Sequence, residues 1–224
     1  MKYLIANWKA QATLSEMILW IETFRELLHT DHTVQHKLEK KELTIIICPP
    51  FPYLLYIKNR FQDVEGITVG AQTVSHIKEG KYTGEVTAKA LKDAATFSIV
   101  GHSERRSNFH ESEDEIERKV SLCNQYHIEP ILCVRSENDT IYEDVKIVAF
   151  ETVEAIGTGK NEDVAHVLEM KQKMKVPAET SFLYGGSADE ENMREYLDTG
   201  EVHGFIVGTA SLDPREFFTM AQKM

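Results

Sequence analysis

At 224 residues, with 36 acidic against 25 basic side chains and a net charge of −11, the chain is poorly suited to nucleic acid or anionic lipid. The length is ample to bury a core without staples, and one α/β barrel commonly needs this much. Three cysteines, Cys48, Cys123 and Cys133, form no spaced pair, which fits a reducing compartment and argues against a disulfide framework. MKYLIANWKA carries no apolar stretch of signal-peptide length and no later run could span a membrane, so a cytoplasmic protein is expected.

The first β-rich run is YLIA, near Leu4. Thr13-Leu14-Ser15-Glu16 follows as a capping box for an amphipathic helix reaching Leu28. LTIIIC, ending at Cys48, and ITVGA, near Val69, are the next runs, followed by FSIV from Phe97 to Val100. Ile116, Val120 and Cys123 then recur at helical spacing within Asp114 to Tyr126. ILCV (Ile131 to Val134), IVAF (Ile147 to Phe150) and SFLY (Ser181 to Tyr184) come next, and Ser187-Ala188-Asp189-Glu190 reads as another capping box. GFIV, Gly204 to Val207, is the eighth run, and Asp213-Pro214 supplies a cap with proline at the first helical position.

These runs are continuously apolar rather than alternating, which indicates strands covered on both faces. Their alternation with helical signals predicts a single domain over 1–224, a closed (β/α)₈ barrel; an open doubly wound sheet is the runner-up. One link is short. Only RSENDTIYEDVK, twelve residues, separates Val134 from Ile147, close to the ~10–12 that a whole crossover needs, so the fifth helix is expected to be shortened or vestigial.

In such a barrel the loops at the C-terminal ends of the strands carry the chemistry. Those ends read Asn7-Trp8-Lys9, Gly101-His102-Ser103-Glu104-Arg105-Arg106, Glu151, Tyr184-Gly185-Gly186-Ser187 and Gly208-Thr209-Ala210-Ser211. Any one of these is ordinary by itself; five converging ends bearing acid, base and glycine are not. Glu151 poses the sharpest question, because a buried carboxylate without a partner is expensive. The glycines at the last two ends precede capping residues, and exposed N–H groups there suit a phosphate. Gly157-Thr158-Gly159-Lys160 lacks the spacing of a nucleotide loop, and no His/Cys/Asp group has metal-ligand spacing.

N-W-K, Y-T-G-E at Tyr82 to Glu85, G-H-S-E-R-R, A-I-G-T-G-K, Y-G-G-S and V-G-x-A-S-L, in this order and nearly end to end, resemble the triosephosphate isomerase family. The resemblance implies the TIM barrel, no cofactor, and interconversion of dihydroxyacetone phosphate and glyceraldehyde 3-phosphate. Carried over by position, Glu151 resembles the base and His102 the electrophile. Lys9 would supply positive charge, Asn7 would fix a substrate oxygen, and Glu104 would back the lysine. Gly157, Ser187, Gly208 and Thr209 would hold the phosphate. A base glutamate, a neutral histidine and a closing loop are the family's familiar illustration of tuned catalytic groups. The resemblance also implies a homodimer formed through the loop Gln72 to Glu85, with Thr83 near the neighbour's Asn7 and Glu104.

The residue types agree with that chemistry. Removing a proton beside a carbonyl needs a base within reach and stabilisation of the resulting oxyanion. An ammonium at ~4 Å supplies ~4 kcal/mol at an effective dielectric of about 20, which outweighs remote charges screened over about 8 Å. Some positions depart from the family's pattern. Thr152 and Glu154 stand where proline and tryptophan are usual, Glu154 resembling the shorter archaeal-type members; Arg135-Ser136 replaces glycine-glutamate, and Thr209 replaces a glycine. A β-branched residue tolerates positive φ poorly, so Thr209 is expected to test the local backbone. Two alternatives stand beside the first reading: an isomerase of another short ketose phosphate, and a non-catalytic phosphosugar-binding relative. Intact Asn7, Lys9, His102 and Glu151 speak against the second, since a pure binder needs no base.

Overall fold

A computed structural model describes residues 1–152 and 161–224. Eight parallel strands close in sequence order: β1 (Lys2–Asn7), β2 (Leu43–Cys48), β3 (Ile67–Ala71), β4 (Phe97–Val100), β5 (Glu129–Val134), β6 (Ile147–Phe150), β7 (Ser181–Tyr184) and β8 (Gly204–Val207). The closed barrel of the sequence reading forms, and each apolar run lies in its own strand.

The continuity of those runs has a simple cause. One alternating set, including Ile5, Ile46, Ile99, Ile131, Ala149 and Leu183, fills the barrel interior. The other set, including Leu4, Ile45, Val100, Leu132, Val148 and Phe205, meets the outer helices. Both faces are dry, so neither admits a polar residue cheaply. At the seam, Tyr3 of β1 pairs with Gly204 of β8. Gly204 has φ +155°, and a Cβ there would stand 1.9 Å from the Tyr3 carbonyl oxygen, so only glycine closes the ring.

The outer helices among the described residues are α1 (Leu14–Thr30), α2 (His32–Glu39), α3 (Leu54–Arg60), α4 (Ala88–Leu91), α5 (Ser103–Asn108), α6 (Glu113–Gln125), α7 (Val164–Lys173), α8 (Met193–Leu197) and α9 (Pro214–Lys223). The Thr13–Glu16 capping box opens α1, and Asp213 accepts the Arg215 and Glu216 N–H groups at the head of α9. α6 starts one residue earlier than its apolar spacing suggests, because Ser112 and Glu115 form a capping box of their own. Against expectation, Ser187–Glu190 does not cap a helix. Asp189 takes the N–H groups of Glu191 and Asn192 in a local turn instead, and α8 begins only at Met193.

The two sides of the barrel are covered differently. α1 and α9 meet through an aromatic seam in which Trp20 stacks on Phe24 at 4.7 Å and Phe218 meets Phe24 edge-on at 5.6 Å. Between β5 and β6 no helix forms. Residues 135–146 run as turns, with Val145 buried and Ile141 and Tyr142 partly buried against the core. The fifth outer element is thus reduced to turns, the vestigial form expected from the short link. No helix among the described residues is long and apolar enough to cross a membrane.

Candidate active site

The strand ends converge on one cavity of about 380 Å³, lined by Asn7, Lys9, His102, Glu151, Ser187, Gly208 and Thr209 among others. Every site residue expected from the sequence is therefore brought together here, with two exceptions. Glu104 sits behind Lys9 rather than on the lining, and Gly157 lies outside the described residues, as does Glu154.

Lys9 leaves β1 with φ 53°, a left-handed conformation that needs local support in a residue other than glycine. The support is visible. Asn7 Oδ1 accepts the Lys9 N–H at 3.2 Å, and Gln72 Nε2 donates to the Lys9 carbonyl at 2.7 Å and to the Cys48 carbonyl at 2.9 Å. The ammonium is held 2.6 Å from Glu104 Oε1, which aims it across the cavity mouth.

His102 is the residue preceding α5, and its Nδ1 accepts the Glu104 N–H at 3.2 Å. An acceptor nitrogen carries no proton, so the hydrogen-bond network assigns the neutral tautomer with its proton on Nε2. The Glu104 carboxylate is farther from Nδ1, at 3.8 Å, and does not displace that bond. Nε2 in turn lies 2.9 Å from Glu151 Oε1.

Glu151 is 1% exposed, and three donors explain how it can be. Ser103 gives its backbone N–H to Oε2 at 2.8 Å and its hydroxyl to Oε1 at 3.2 Å, while His102 supplies the third bond. The first-turn N–H of α5 adds favourable dipole to the carboxylate. Ser103 was present in the quoted motif without a role; its position beside the histidine at a helix start was the signal. Below Glu151, the Cys133 thiol is pushed well above its ordinary value, first by burial and then by the neighbouring negative charge. Burial likewise pushes Cys48 up, and takes Cys123 to about 12, leaving three inert thiols.

The opposite wall is backbone. Gly185 donates to the Phe150 carbonyl at 2.7 Å, and a Cβ on it would meet Ile206 at 2.8 Å. A Cβ on Gly186 would fall 2.0 Å from the Tyr184 hydroxyl. Beyond β8 the chain turns through a 3₁₀ segment, Thr209–Leu212, locked by the Ser211 hydroxyl on the Gly208 carbonyl at 2.6 Å and by Trp20 Nε1 on the Ser211 carbonyl at 3.0 Å. Thr209 does not adopt positive φ, so the exchange of glycine for threonine carries no backbone strain. Asp189 and Glu216 also border this end, which sequence reading missed, because each reads as a helix cap or first-turn acid. Glu216 is raised above the usual carboxylate value by burial and by Asp213, Glu190 and Asp189.

Tyr184 also reaches the flanks of residues 153–160. Its hydroxyl accepts the Glu162 N–H at 3.0 Å and lies 3.4 Å from Thr152 Oγ1, and its ring stacks on Tyr196 at 4.7 Å. Residues 152 and 162 are thereby fixed to one point at the end of β7.

An arrangement that pairs a shielded carboxylate with a neutral imidazole N–H, a cation and a cradle of backbone donors can move a proton beside a carbonyl and hold a phosphate. Comparison with known proteins leads to the same place. Residues 2–224 match the family model described as triosephosphate isomerase. The triosephosphate isomerase of Dictyoglomus turgidum is 34% identical over 255 residues, spanning 99% of this chain and 98% of its own. That of Aquifex aeolicus is 34% identical over 248 residues, with 96% of each chain covered, and that of Mycoplasma pneumoniae is 32% identical over 250 residues. With a family match running through all eight strands and the cavity they build, this chain belongs to the triosephosphate isomerase family.

Proposed function

We propose that the protein interconverts dihydroxyacetone phosphate and D-glyceraldehyde 3-phosphate by proton transfer through an enediolate. The observation that carries this reading is the buried Glu151 carboxylate bonded to the Nε2–H of a neutral His102, in the same cavity as Lys9. A phosphate seated on the N–H groups around Ser187, Gly208 and Thr209 leaves the carbonyl end facing His102 and Lys9. The substrate oxygen takes over the Nε2 hydrogen bond, which frees Glu151 to approach the adjacent carbon.

Glu151 then removes the proton from that carbon, and the electron pair moves through the new C=C bond onto the carbonyl oxygen. Nε2–H and the Lys9 ammonium stabilise the oxyanion, Asn7 orients it, and Glu104 keeps the ammonium in place. The His102 Nε2 proton passes to the oxyanion while Nε2 takes the proton of the hydroxyl on the first carbon, and Glu151 returns its proton to the former carbonyl carbon. Hydroxyl and carbonyl have then exchanged places, both residues are restored, and no electron or group leaves the substrate. The test is a coupled assay on purified protein with dihydroxyacetone phosphate beside longer ketose phosphates. Turnover of the triose supports the reading; turnover only of a longer sugar, or of none, overturns it.

We further propose a homodimer. Residues 78–85 are exposed, with Tyr82 at 56%. At the base of this segment, where Gly84 and Glu85 border it, a cavity of about 390 Å³ is lined also by Thr73, His76, Arg105, Phe109, Glu111 and Lys119. Glu111 is buried there, and its Oε2 has no hydrogen-bond partner among the described residues, although its Oε1 pairs with Arg105 and Lys119. A donor from a second copy's Tyr82–Glu85 segment would satisfy it and bring Thr83 towards Asn7 and Glu104. Sedimentation giving a fully active monomer would overturn this arrangement. Three buried, unpaired thiols fit residence in the reducing cytoplasm.

A further inference from the structure

Where a fifth outer helix would stand, the link 135–146 buries a charge that the acid–base machinery leaves unexplained. Asp139 Oδ2 accepts the Arg135 backbone N–H at 2.7 Å and its Nε at 3.0 Å, and Oδ1 accepts from Nη2 at 2.8 Å. The same Oδ1 lies 3.7 Å from Nη1 of Arg106, and both of these side chains are buried. Arg106 donates to the Gly101 carbonyl at 2.7 Å and to the Cys133 carbonyl at 3.4 Å, and also pairs with Glu113.

This network stands directly behind Glu151. Gly101 precedes His102 and Ser103, Cys133 lies beneath the carboxylate, and the Glu151 N–H bonds the Val134 carbonyl at 2.8 Å, one residue before Arg135. The electrostatic reach is visible at Arg135. Its guanidinium is held above the usual value, first by Asp139, against burial, with Glu113 and Glu151 adding. Asp139 is held below the usual carboxylate value in spite of its burial, by Arg135 and Arg106. The remaining charged or titratable groups facing Glu151 are His102 from the end of β4, Cys133 from β5, and Lys9 across the cavity, the last already paired with Glu104.

Of the two carboxylates on this network, Glu113 is 45% exposed and screened by water, whereas the Asp139 side chain is 5% exposed. Two guanidiniums left facing an ionised base would stabilise its charge and weaken it as a proton acceptor. We propose that Asp139 is a positioning and charge-balancing residue for Glu151: it pins Arg135 and Arg106 behind the site and neutralises them, so that the base keeps its strength. The inference rests on Glu151 being the base.

The pH dependence of kcat for triose phosphate isomerisation tests it, because one substrate used throughout makes its own titration cancel. Asp139→Asn should move the acid limb down by about half a pH unit and lower kcat at neutral pH about threefold, since the guanidiniums go uncompensated. Arg135→Gln should move the limb up by about the same amount, and the double substitution should bring it back near wild type. A purely structural role predicts no such crossing. Limbs that move in the same direction, or stay where wild type has them, overturn the proposal.

Arg135 has a third of its side chain in water, so Arg135→Gln should fold even if Asp139→Asn does not, and its upward shift alone then decides. Glu151→Asp separates the two readings. If it leaves kcat as in wild type, the base assignment fails; if it lowers kcat sharply while Arg135→Gln leaves the limb unmoved, only the charge-balancing role fails.

Discussion

The two walls of the catalytic cavity hold their working groups by opposite means. On the β4–β6 wall, side chains do it: His102, Ser103 and Glu151 bond one another, and each bond depends on a particular residue type. On the β7–β8 wall the chain backbone does it, and the side chains contribute chiefly by being absent at Gly185 and Gly186. The first wall is chemically specific and geometrically forgiving; the second is chemically blank and geometrically strict. Substitutions should therefore act on kcat at one wall and on substrate affinity at the other.

The largest effect belongs to Glu151→Gln, which keeps the shape and removes the proton acceptor. A drop of about 10²–10⁴-fold in kcat with nearly unchanged KM is expected. Steady-state kinetics within threefold of wild type would remove Glu151 from the mechanism. Next comes Lys9→Met, which takes the cation away from the developing oxyanion and should lower kcat about 10²–10³-fold. Because Lys9 also faces Gly208, its Cε 3.4 Å and its Nζ 3.7 Å from that residue's would-be Cβ, an accompanying rise in KM would place it between the two walls.

At the backbone wall, Gly186→Ala pushes a methyl into the Tyr184 hydroxyl. KM should rise about tenfold, with kcat falling less, as expected of overpacking worth roughly 1–3 kcal/mol. Inhibition by inorganic phosphate, weakened in parallel, checks that the loss is one of phosphate binding. The smallest effect is Thr209→Gly. With no positive φ to relieve, kinetics should stay within about twofold, while stability falls by about 0.4–1 kcal/mol from the freer unfolded chain. Chemical denaturation measures that fall, and a gain in stability would mean that Thr209 is strained after all.

The same contrast explains what could be read from the sequence. The first wall was legible because its chemistry resides in residue types, and His102 and Glu151 stand at the ends of apolar runs, as Lys9 does beyond β1. The second was legible only as glycines before turns, without the reason each is required. The barrel itself followed from runs dry on both faces. Ser187–Glu190 misled because the letters of a capping box also suit a tight turn, and Asn192 helped settle the matter by bonding the Asp189 N–H at 3.1 Å. Asp139 escaped notice for a related reason. Arg135 was visible as a departure from the family pattern, but nothing periodic indicates that a carboxylate four residues on folds back beneath it.

The pairing of Tyr3 with Gly204 has a consequence for biosynthesis. The barrel's last hydrogen-bonded ladder joins its first strand to its eighth, so nearly the whole chain must be made before the ring can shut. A growing polypeptide that has left the ribosome only as far as β7 carries unpaired N–H and C=O groups along both β1 and β7, flanked by apolar surface awaiting α9. Ribosome stalling before Gly204 would hold the chain in its most adhesive form, and chaperone occupancy of nascent chains should fall sharply once β8 and α9 have emerged.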